Sequence, residues 1–190
     1  MVASITKEEV STMGVEVFPA RIHVVNTVEE ADRAVDYLRG FPLIGFDTET
    51  KPNFKKGQKN KIALIQLAVD DGAYLFRLNR IGMPESLKSL LHDDKITKIG
   101  LSLKDDFAAI AARTKSQVLS FIDLQKFVLN YGIKDQSLQK IYAILFHKRI
   151  SKAQRLSNWE AEVLSEAQKA YAAIDAWACL RIYNELKKEG

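Results

Sequence analysis

Cysteine is nearly absent from this sequence. The chain of 190 residues contains only Cys179, so a disulfide within the chain is excluded. A zinc cluster built from several cysteines is excluded for the same reason. The composition therefore does not fit a small disulfide-stapled secreted domain, and it fits a reducing compartment.

Long hydrophobic runs are also missing. No segment approaches the roughly 18 consecutive apolar residues needed to cross a bilayer. The N-terminus has no apolar stretch of the kind found in a secretory signal. We therefore expect a soluble, cytoplasmic protein.

Length and charge restrict the domain organisation more than the choice of partner. A hydrophobic content of 47% over 190 residues supports one domain with a proper core. We predict that residues 1–20, which mix polar and apolar side chains, form a lead-in that packs weakly, and that residues 21–190 form a single domain. The formal net charge of +4 and the pI near 9.0 permit a polyanionic partner without requiring one.

Hydrophobic periodicity predicts an α/β fold. Three successive strands, over residues 43–50, 62–69 and 73–78, indicate an antiparallel meander. Strand and helix then alternate, with further strands near 98–101 and 121–124. We expect a mixed five-stranded sheet, the meander plus two further strands, flanked by helices. A short strand is also predicted at 21–25, outside that count.

The first candidate site residues end an apolar run. The segment Leu43-Ile44-Gly45-Phe46-Asp47-Thr48-Glu49-Thr50 begins with apolar residues and then presents two acids. In a strand, side chains two positions apart project from the same face, so Asp47 and Glu49 should lie side by side. Their charges repel each other, and a bound divalent cation is the simplest compensation.

A third acid is predicted on the buried face of the last helix. The segment Ser165-Glu166-Ala167-Gln168 has the form of a capping box. At about 100° per residue, the helix that follows places Tyr171, Asp175 and Ala178 on one stripe with apolar neighbours. A lone buried carboxylate needs a cation or a set of donors. Tyr171 lies one turn away from Asp175 on the same face.

A fourth acid is suggested where another strand passes into a helix. The segment Gly100-Leu101-Ser102-Leu103-Lys104-Asp105-Asp106 spans this junction. Aspartate is a common helix N-cap, so one of Asp105 and Asp106 can be a cap while the other is a candidate ligand. The pattern of residues alone does not choose between them.

Two basic segments are candidate contacts for phosphate. The first is a polar loop between residues 51 and 61, and its lysines are Lys51, Lys55, Lys56, Lys59 and Lys61. The second is the run formed by Lys148, Arg149, Lys152 and Arg155. Both patterns are also typical of a solvated surface. Trp159, which follows the second run, fits either core packing or a platform for a nucleobase.

Taken together, the acidic motifs resemble the DEDD family of 3′-to-5′ exonucleases, in its tyrosine branch with ribonuclease D and the Werner-type exonuclease domain. The matching segments are Phe46-Asp47-Thr48-Glu49, then the junction that ends in Asp106, then Tyr171-Ala172-Ala173-Ile174-Asp175. Further similarity lies at residues 61–67 and 156–159. The resemblance covers roughly residues 22–186 and implies a ribonuclease H-like fold.

The resemblance also implies a metal site. It makes Asp47, Glu49, Asp106 and Asp175 the metal-binding acids, and it favours Asp106 over Asp105. The implied cofactors are two divalent cations, Mg²⁺ or Mn²⁺, both of which prefer carboxylate oxygens. Asp47 would bridge both ions, with Glu49 and Asp175 on the nucleophile side and Asp106 on the other.

The role implied for Tyr171 is to orient or deprotonate the attacking water. With an ordinary pKa near 10, a tyrosine suits orientation better than deprotonation at neutral pH. The histidines at 23, 92 and 147 match no motif position. We interpret them as ordinary surface or core residues.

The implied function is a metal-dependent 3′-to-5′ exonuclease that releases nucleoside 5′-monophosphates. Two divalent ions about 3.5–4 Å apart activate water, stabilise the leaving oxygen and neutralise charge in the transition state. We expect the partner to be the 3′ end of DNA or RNA, single-stranded, and we expect no membrane partner. The predicted substrate contacts are Thr48, Lys55, Lys56, Asn158 and Trp159.

Two alternatives accompany this interpretation. An apolar strand that ends in Asp-x-Glu is weakly similar to the haloacid dehalogenase-type phosphatases, but those require a second Asp where Glu49 stands. They also leave Tyr171 and Asp175 unexplained. The other alternative is an inactive exonuclease-like module that only binds nucleic acid or protein. Loss of one metal-binding acid would be its signature, and all four acids are present.

Overall fold

A mixed sheet of six strands lies at the centre of the computed structural model, which describes residues 3–188. Its strands are β1 (Arg21–Val25), β2 (Leu43–Thr50), β3 (Ile62–Val69), β4 (Gly72–Arg77), β5 (Thr97–Gly100) and β6 (Phe121–Asp123). They lie in the order β1-β4-β3-β2-β5-β6. The outermost ends of the predicted lead-in and domain, residues 1–2 and 189–190, lie outside the described residues.

The pairing of the strands confirms the predicted class of fold and corrects the strand count. β2, β3 and β4 form the antiparallel meander, and β5 and β6 continue the sheet in parallel from β2. The sheet has six strands because β1 pairs in parallel with β4. The short segment at 21–25 is therefore an edge strand of the same sheet.

Helices cover both faces of the sheet. They are α1 (Lys7–Ser11), α2 (Val28–Leu38), α3 (Leu78–Ile81), α4 (Glu85–Leu91), α5 (Lys104–Thr114), α6 (Leu124–Phe127), α7 (Leu138–Phe146) and α8 (Glu166–Lys188). A short 3₁₀ helix spans Val128–Tyr131. Among residues 3–188, no helix is both long enough and apolar enough to cross a membrane.

Capping boxes fix the start of α2 and of α8, and the second lies at the predicted position. At α2, the Glu30 amide donates to the Thr27 hydroxyl and the Thr27 amide donates to the Glu30 carboxylate, both at 3.1 Å. At α8, the Gln168 amide donates to Ser165 Oγ at 3.1 Å, and the Ser165 amide donates to Gln168 Oε1 at 2.9 Å. Each reciprocal pair satisfies backbone donors that a helix start leaves free.

Strand β2 separates two hydrophobic cores. Its residues Ile44 and Phe46 are fully buried in a core shared with α2 and α4. A second core lies on the other face of the sheet, where Ala176 and Trp177 of α8 are buried. The alternate positions of β2, starting with Gly45, face α8.

The N-terminal segment (residues 3–19) packs more firmly than its mixed sequence predicts. The Glu16 carboxylate accepts hydrogen bonds from the Tyr142 hydroxyl at 2.7 Å and from Arg181 at 3.0 Å. Phe18 meets Trp177 edge to face, with ring centroids 5.8 Å apart. This segment is therefore fastened to α7 and α8, and the prediction of weak packing is wrong.

Candidate active site

The site forms where β2 passes α8. Gly45, Asp47 and Glu49 occupy alternate positions of β2 and face the helix. An ideal Cβ built on Gly45 would lie 2.0 Å from the Ala176 carbonyl oxygen. Glycine is therefore what lets strand and helix approach closely enough for their acids to meet.

Three carboxylates converge at this crossing. Asp47 and Glu49 are half-buried, whereas Asp175 on α8 is only 6% exposed. Each contributes one oxygen to a group whose oxygens all lie within 4.8 Å of one another. The two acids predicted to share a face of β2 and the acid predicted on the buried helix face therefore form one cluster.

Burial raises the pKa of every member of this cluster, and repulsion from neighbouring acids adds to the effect at Asp47 and Glu49. Burial raises the pKa of Asp47 well above its ordinary value, with the charges of Asp175 and Asp106 adding to the effect. Burial raises the pKa of Glu49 to about 10, and the charges of Asp47, Asp175 and Asp106 add to the effect. Burial raises the pKa of Asp175 to about 7, and a hydrogen bond with Tyr171 opposes this increase.

The cluster fits a divalent cation. Asp175 Oδ1 is buried and accepts no hydrogen bond from any described residue, which normally carries a large free-energy cost. Three carboxylates that face one another, one of them with an unpartnered oxygen, need a positive charge to compensate their repulsion. Hard cations such as Mg²⁺ and Mn²⁺ bind oxygen ligands of this kind.

Without metal, this arrangement makes stability depend on pH. The Asp175 pKa of about 7 lies above the ordinary value of 3.8, so the folded chain binds more protons than the unfolded chain between these values. Stability is then lost as the pH rises through this window. In chelator, we expect Asp175 alone to make the free energy of unfolding in urea denaturation about 2 kcal/mol lower at pH 7 than at pH 5. Asp47 and Glu49, whose pKa values are also raised, should add to this difference. Mg²⁺ should oppose this loss, and Asp175→Asn should weaken the dependence. Equal stability of the wild type at both pH values would contradict the expectation.

Asp106 lies beside the cluster rather than within it. It sits half-buried in the first turn of α5, where its carboxylate accepts a hydrogen bond from the Thr48 hydroxyl. Burial raises its pKa, and this hydrogen bond opposes the effect. Asp105 is exposed. Of these two acids, Asp106 is therefore the one that the fold places next to the cluster, although its carboxylate is not among the three that converge.

Asp123 at the end of β6 positions the turn that leads to Asp106. Its carboxylate accepts backbone hydrogen bonds from Ser102 at 3.0 Å and from Leu103 and Gln125 at 2.9 Å. Ser102 has a left-handed backbone with φ of 57°. Nothing in the sequence pattern marks Asp123 as part of the site. The reach from position 123 back to 102 has no local sequence signal.

Removing this carboxylate should impair both the fold and the site. Because hydrogen bonds to a charged group are strong, we expect Asp123→Ala to lower the free energy of unfolding by about 2–3 kcal/mol. It should also reduce the kcat of nucleic-acid degradation by displacing Asp106. The matched control is Asp135→Ala, since Asp135 likewise accepts a backbone hydrogen bond, from Ile5 at 2.8 Å. That control should lose stability but keep kcat; equal losses of kcat in the two variants would contradict a positioning role.

Tyr171 lies between the acids and a buried tryptophan. Its ring lies 5.8 Å from that of Trp159, and its hydroxyl is close enough to Asp175 to lower the pKa of that carboxyl. Burial, then the charges of Asp175 and Glu49, raise the pKa of Tyr171. The hydroxyl therefore remains a neutral donor beside the carboxylates.

The predicted substrate contacts have different environments. Lys55 and Lys56 are exposed in the loop between β2 and β3, and Asn158 is exposed before α8. Thr48 points its hydroxyl at Asp106. Trp159 is 0% exposed, so the interpretation as a platform for a nucleobase is wrong and core packing against Tyr171 is right.

Two clefts flank the acids. The loop-side cleft, of about 1120 Å³, lies between the β2–β3 loop and α5 and is lined by Thr48 and Asp106. The helix-side cleft, of about 730 Å³, contains Asp47 and Asp175 together with Lys152 and Arg155. A polymer can therefore approach the acids from two directions.

The second basic run is divided between two tasks. Lys148 lies 3.6 Å from Glu16, and Arg149 donates to the Met13 carbonyl at 3.0 Å. These two residues fasten the N-terminal segment. Lys152 and Arg155 are exposed and line the helix-side cleft, so they are the members of the run available to a phosphate.

Comparison with known proteins gives the class of this fold and site. A model of the 3′-5′ exonuclease family matches residues 22–190. The chain therefore belongs to this family, which confirms the resemblance to the DEDD exonucleases. The family uses divalent metal ions, in keeping with the cluster of carboxylates.

Particular relatives include proteins much longer than this chain. The bifunctional 3′-5′ exonuclease/ATP-dependent helicase WRN of Mus musculus is 34% identical over 155 residues, covering 78% of this chain and 11% of that protein. A 3′-5′ exonuclease of Arabidopsis thaliana is 30% identical over 186 residues, covering 90% and 65%. The chain thus spans less than two thirds of the length of either relative.

Solved structures support the ribonuclease H-like fold. The Nibbler EXO domain of Aedes aegypti has a TM-score of 0.82 at 22% identity, covering 92% of each chain. Escherichia coli RNase D, an exoribonuclease involved in structured RNA processing, has a TM-score of 0.79 at 24% identity, covering 88% and 44%. The RNase D of Trypanosoma brucei in complex with RNA U12 has a TM-score of 0.78 at 22% identity, covering 88% and 62%.

Proposed function

We propose that this chain is a metal-dependent 3′-to-5′ exonuclease that hydrolyses phosphodiester bonds and releases nucleoside 5′-monophosphates. The observation that carries the proposal is the convergence of Asp47, Glu49 and Asp175 within 4.8 Å. The unpartnered oxygen of Asp175 supports it further. Such a cluster is costly to the fold unless it binds a cation.

The four acids have separate places in the proposed site. Asp47, Glu49 and Asp175 would hold metal at the crossing of β2 and α8, and Asp106 would complete a second ion's ligands from α5. When bound, two Mg²⁺ or Mn²⁺ ions supply Lewis acidity, an acidified water and charge neutralisation. The chain itself brings these acids together and limits their exposure to water.

The remaining polar groups orient the reactants. Tyr171 would hold the attacking water through its hydroxyl, because a neutral phenol donates a hydrogen bond well and is a weak base at neutral pH. Thr48 would fix the rotamer of Asp106 through their hydrogen bond. Lys152 and Arg155 would attract phosphates into the helix-side cleft.

The proposed substrate is an unpaired 3′ end of DNA or RNA. The acids are reached through two clefts, which suits a single strand better than a base-paired duplex. The bound RNA in the Trypanosoma brucei RNase D structure is a property of that protein. It supports a nucleic-acid partner for this chain.

Tyr171→Phe tests the orienting role. The substitution removes the hydroxyl and keeps the ring that packs on Trp159, so the fold and metal affinity should be retained. We expect kcat to fall by about 10²-fold or more, the usual contribution of a positioned proton-transfer or water-holding group. Single-turnover assays on a 5′-labelled strand measure this, and wild-type turnover would reduce Tyr171 to a packing residue.

The function itself is tested by digestion of end-labelled strands. Single- and double-stranded DNA and RNA are each incubated with Mg²⁺, with Mn²⁺ and with chelator. We expect stepwise shortening from the 3′ end of a single strand, dependent on metal and abolished by chelator. Binding without hydrolysis under every metal condition would contradict the proposal and identify an inactive binding module.

A further inference from the structure

The loop between β2 and β3 exposes an aromatic side chain. Phe54 is 88% exposed, the highest value for a large hydrophobic side chain among residues 3–188. Full burial of a phenylalanine side chain typically stabilises a folded protein. The exposed Phe54 ring does not stabilise the fold in this way. Single exposed hydrophobic residues are common, so the surroundings of Phe54 decide its meaning.

The loop that presents Phe54 is ordered by its own hydrogen bonds. Asn53 Oδ1 accepts from the Lys55 amide at 2.9 Å, and Asn60 Nδ2 donates to the Lys51 carbonyl at 2.8 Å. Gly57 has a φ of 84°, a conformation that glycine adopts without strain. The exposed position of the ring is therefore built into the folded loop.

The surroundings of Phe54 are basic. Five exposed lysines lie in the same loop, namely Lys51, Lys55, Lys56, Lys59 and Lys61. Of these, Lys51 lies 3.8 Å from the Glu160 carboxylate. An apolar protein surface would desolvate these charges without compensation. A single nucleic-acid strand offers both a flat apolar base for the ring and phosphates for the lysines.

The loop segment that carries the ring leads directly from the candidate active site. Pro52 and Asn53, which immediately precede Phe54, line the loop-side cleft. The same cleft contains Thr48 and Asp106. A strand with its 3′ end at the acids can leave through this cleft and pass the tip of the loop.

We propose that Phe54 stacks on an unpaired base of the bound strand, upstream of the 3′ end, while the loop lysines contact the neighbouring phosphates. This inference rests on the proposed function for the direction of the strand. It adds a binding position at which the protein contacts a base and not the sugar-phosphate backbone of the strand.

The experiment measures binding separately from hydrolysis. Fluorescence anisotropy of labelled single-stranded DNA and RNA is followed in Mg²⁺ on the Asp47→Asn background, which should leave the strand intact. Base stacking on an aromatic ring predicts about 5- to 150-fold weaker binding for Phe54→Ala. Phe54→Trp should bind like its parent. Leu129→Ala is the matched control, because Leu129 is exposed but lines neither cleft.

Abasic strands distinguish stacking from a general effect on the loop. Each strand of a series carries one abasic site at a different position. The difference in binding affinity between the parent and Phe54→Ala should disappear when the abasic site is at one or two adjacent positions. The double variant Lys55→Ala/Lys56→Ala should instead weaken binding equally at all positions and reduce the salt dependence.

Three results would overturn the inference. They are unchanged binding by Phe54→Ala, a loss that persists with every abasic strand, and no binding of any strand by the parent. Failure of the proposed function has a different signature, because an intact wild-type chain would then leave strands undigested in metal while the effect of Phe54 on binding remained.

Discussion

Asp47→Asn and Asp175→Asn should each reduce the kcat of metal-dependent degradation of a 5′-labelled single strand by about 10³-fold. Losing one preorganised electrostatic contact in an active site often costs about that much, and each substitution would remove a charge that holds metal. Asparagine has nearly the volume of aspartate, so the packing around α8 should be preserved. Single-turnover assays at saturating enzyme separate this chemical effect from weaker binding.

Stability should change in the opposite direction from activity. Because the acids repel one another in the absence of metal, either substitution should leave the metal-free chain at least as stable as the wild type in urea denaturation. Asp36→Asn is the matched control, since Asp36 is an exposed acid on α2. It should retain full activity. Normal turnover in either cluster variant would contradict the metal site.

Gly45→Ala should be nearly as damaging through a single methyl group. Its Cβ would lie 2.0 Å from the Ala176 carbonyl oxygen, whereas ordinary contact begins at 3.4 Å. Strand and helix must therefore separate by more than an ångström. Misplacement on this scale costs catalysis about 10²-fold, and forcing extra volume into a packed core costs about 1–3 kcal/mol or more.

Two measurements test the effect of Gly45→Ala. The free energy of unfolding should fall, and kcat per folded molecule should fall with it because Asp175 moves away from Asp47. Gly14→Ala is the matched control, since a Cβ on Gly14 meets nothing within 4 Å. Loss of stability with a normal kcat would mean that the strand and helix separate elsewhere and leave the acids in register.

The acids that could be located from the sequence are those whose elements have strong periodicity. The alternation of β2 placed Asp47 and Glu49 on one face, and the 3.6-residue period of α8 placed Asp175 and Tyr171 on its buried stripe. Both patterns depend on residues close in sequence, so local rules are enough to orient the side chains. Which elements cross each other was implied only by the resemblance.

Long-range contacts could not be predicted in this way. Asp123 holds a turn that lies 20 residues earlier in the chain, and β1 joins the sheet by pairing with β4. Trp159 illustrates a different limit, because tryptophan suits both a core and a stacking surface. Only its position under α8 decides between these roles.

The crossing of β2 and α8 also sets the order in which the site can appear during synthesis. Asp47 and Glu49 leave the ribosome more than a hundred residues before their partner on α8. Glu16 and its hydrogen-bond partner Arg181 are even further apart in the sequence, by 165 residues. Because contacts so distant in sequence form late, a nascent chain that has not yet completed α8 has an uncovered sheet face and no assembled nuclease site.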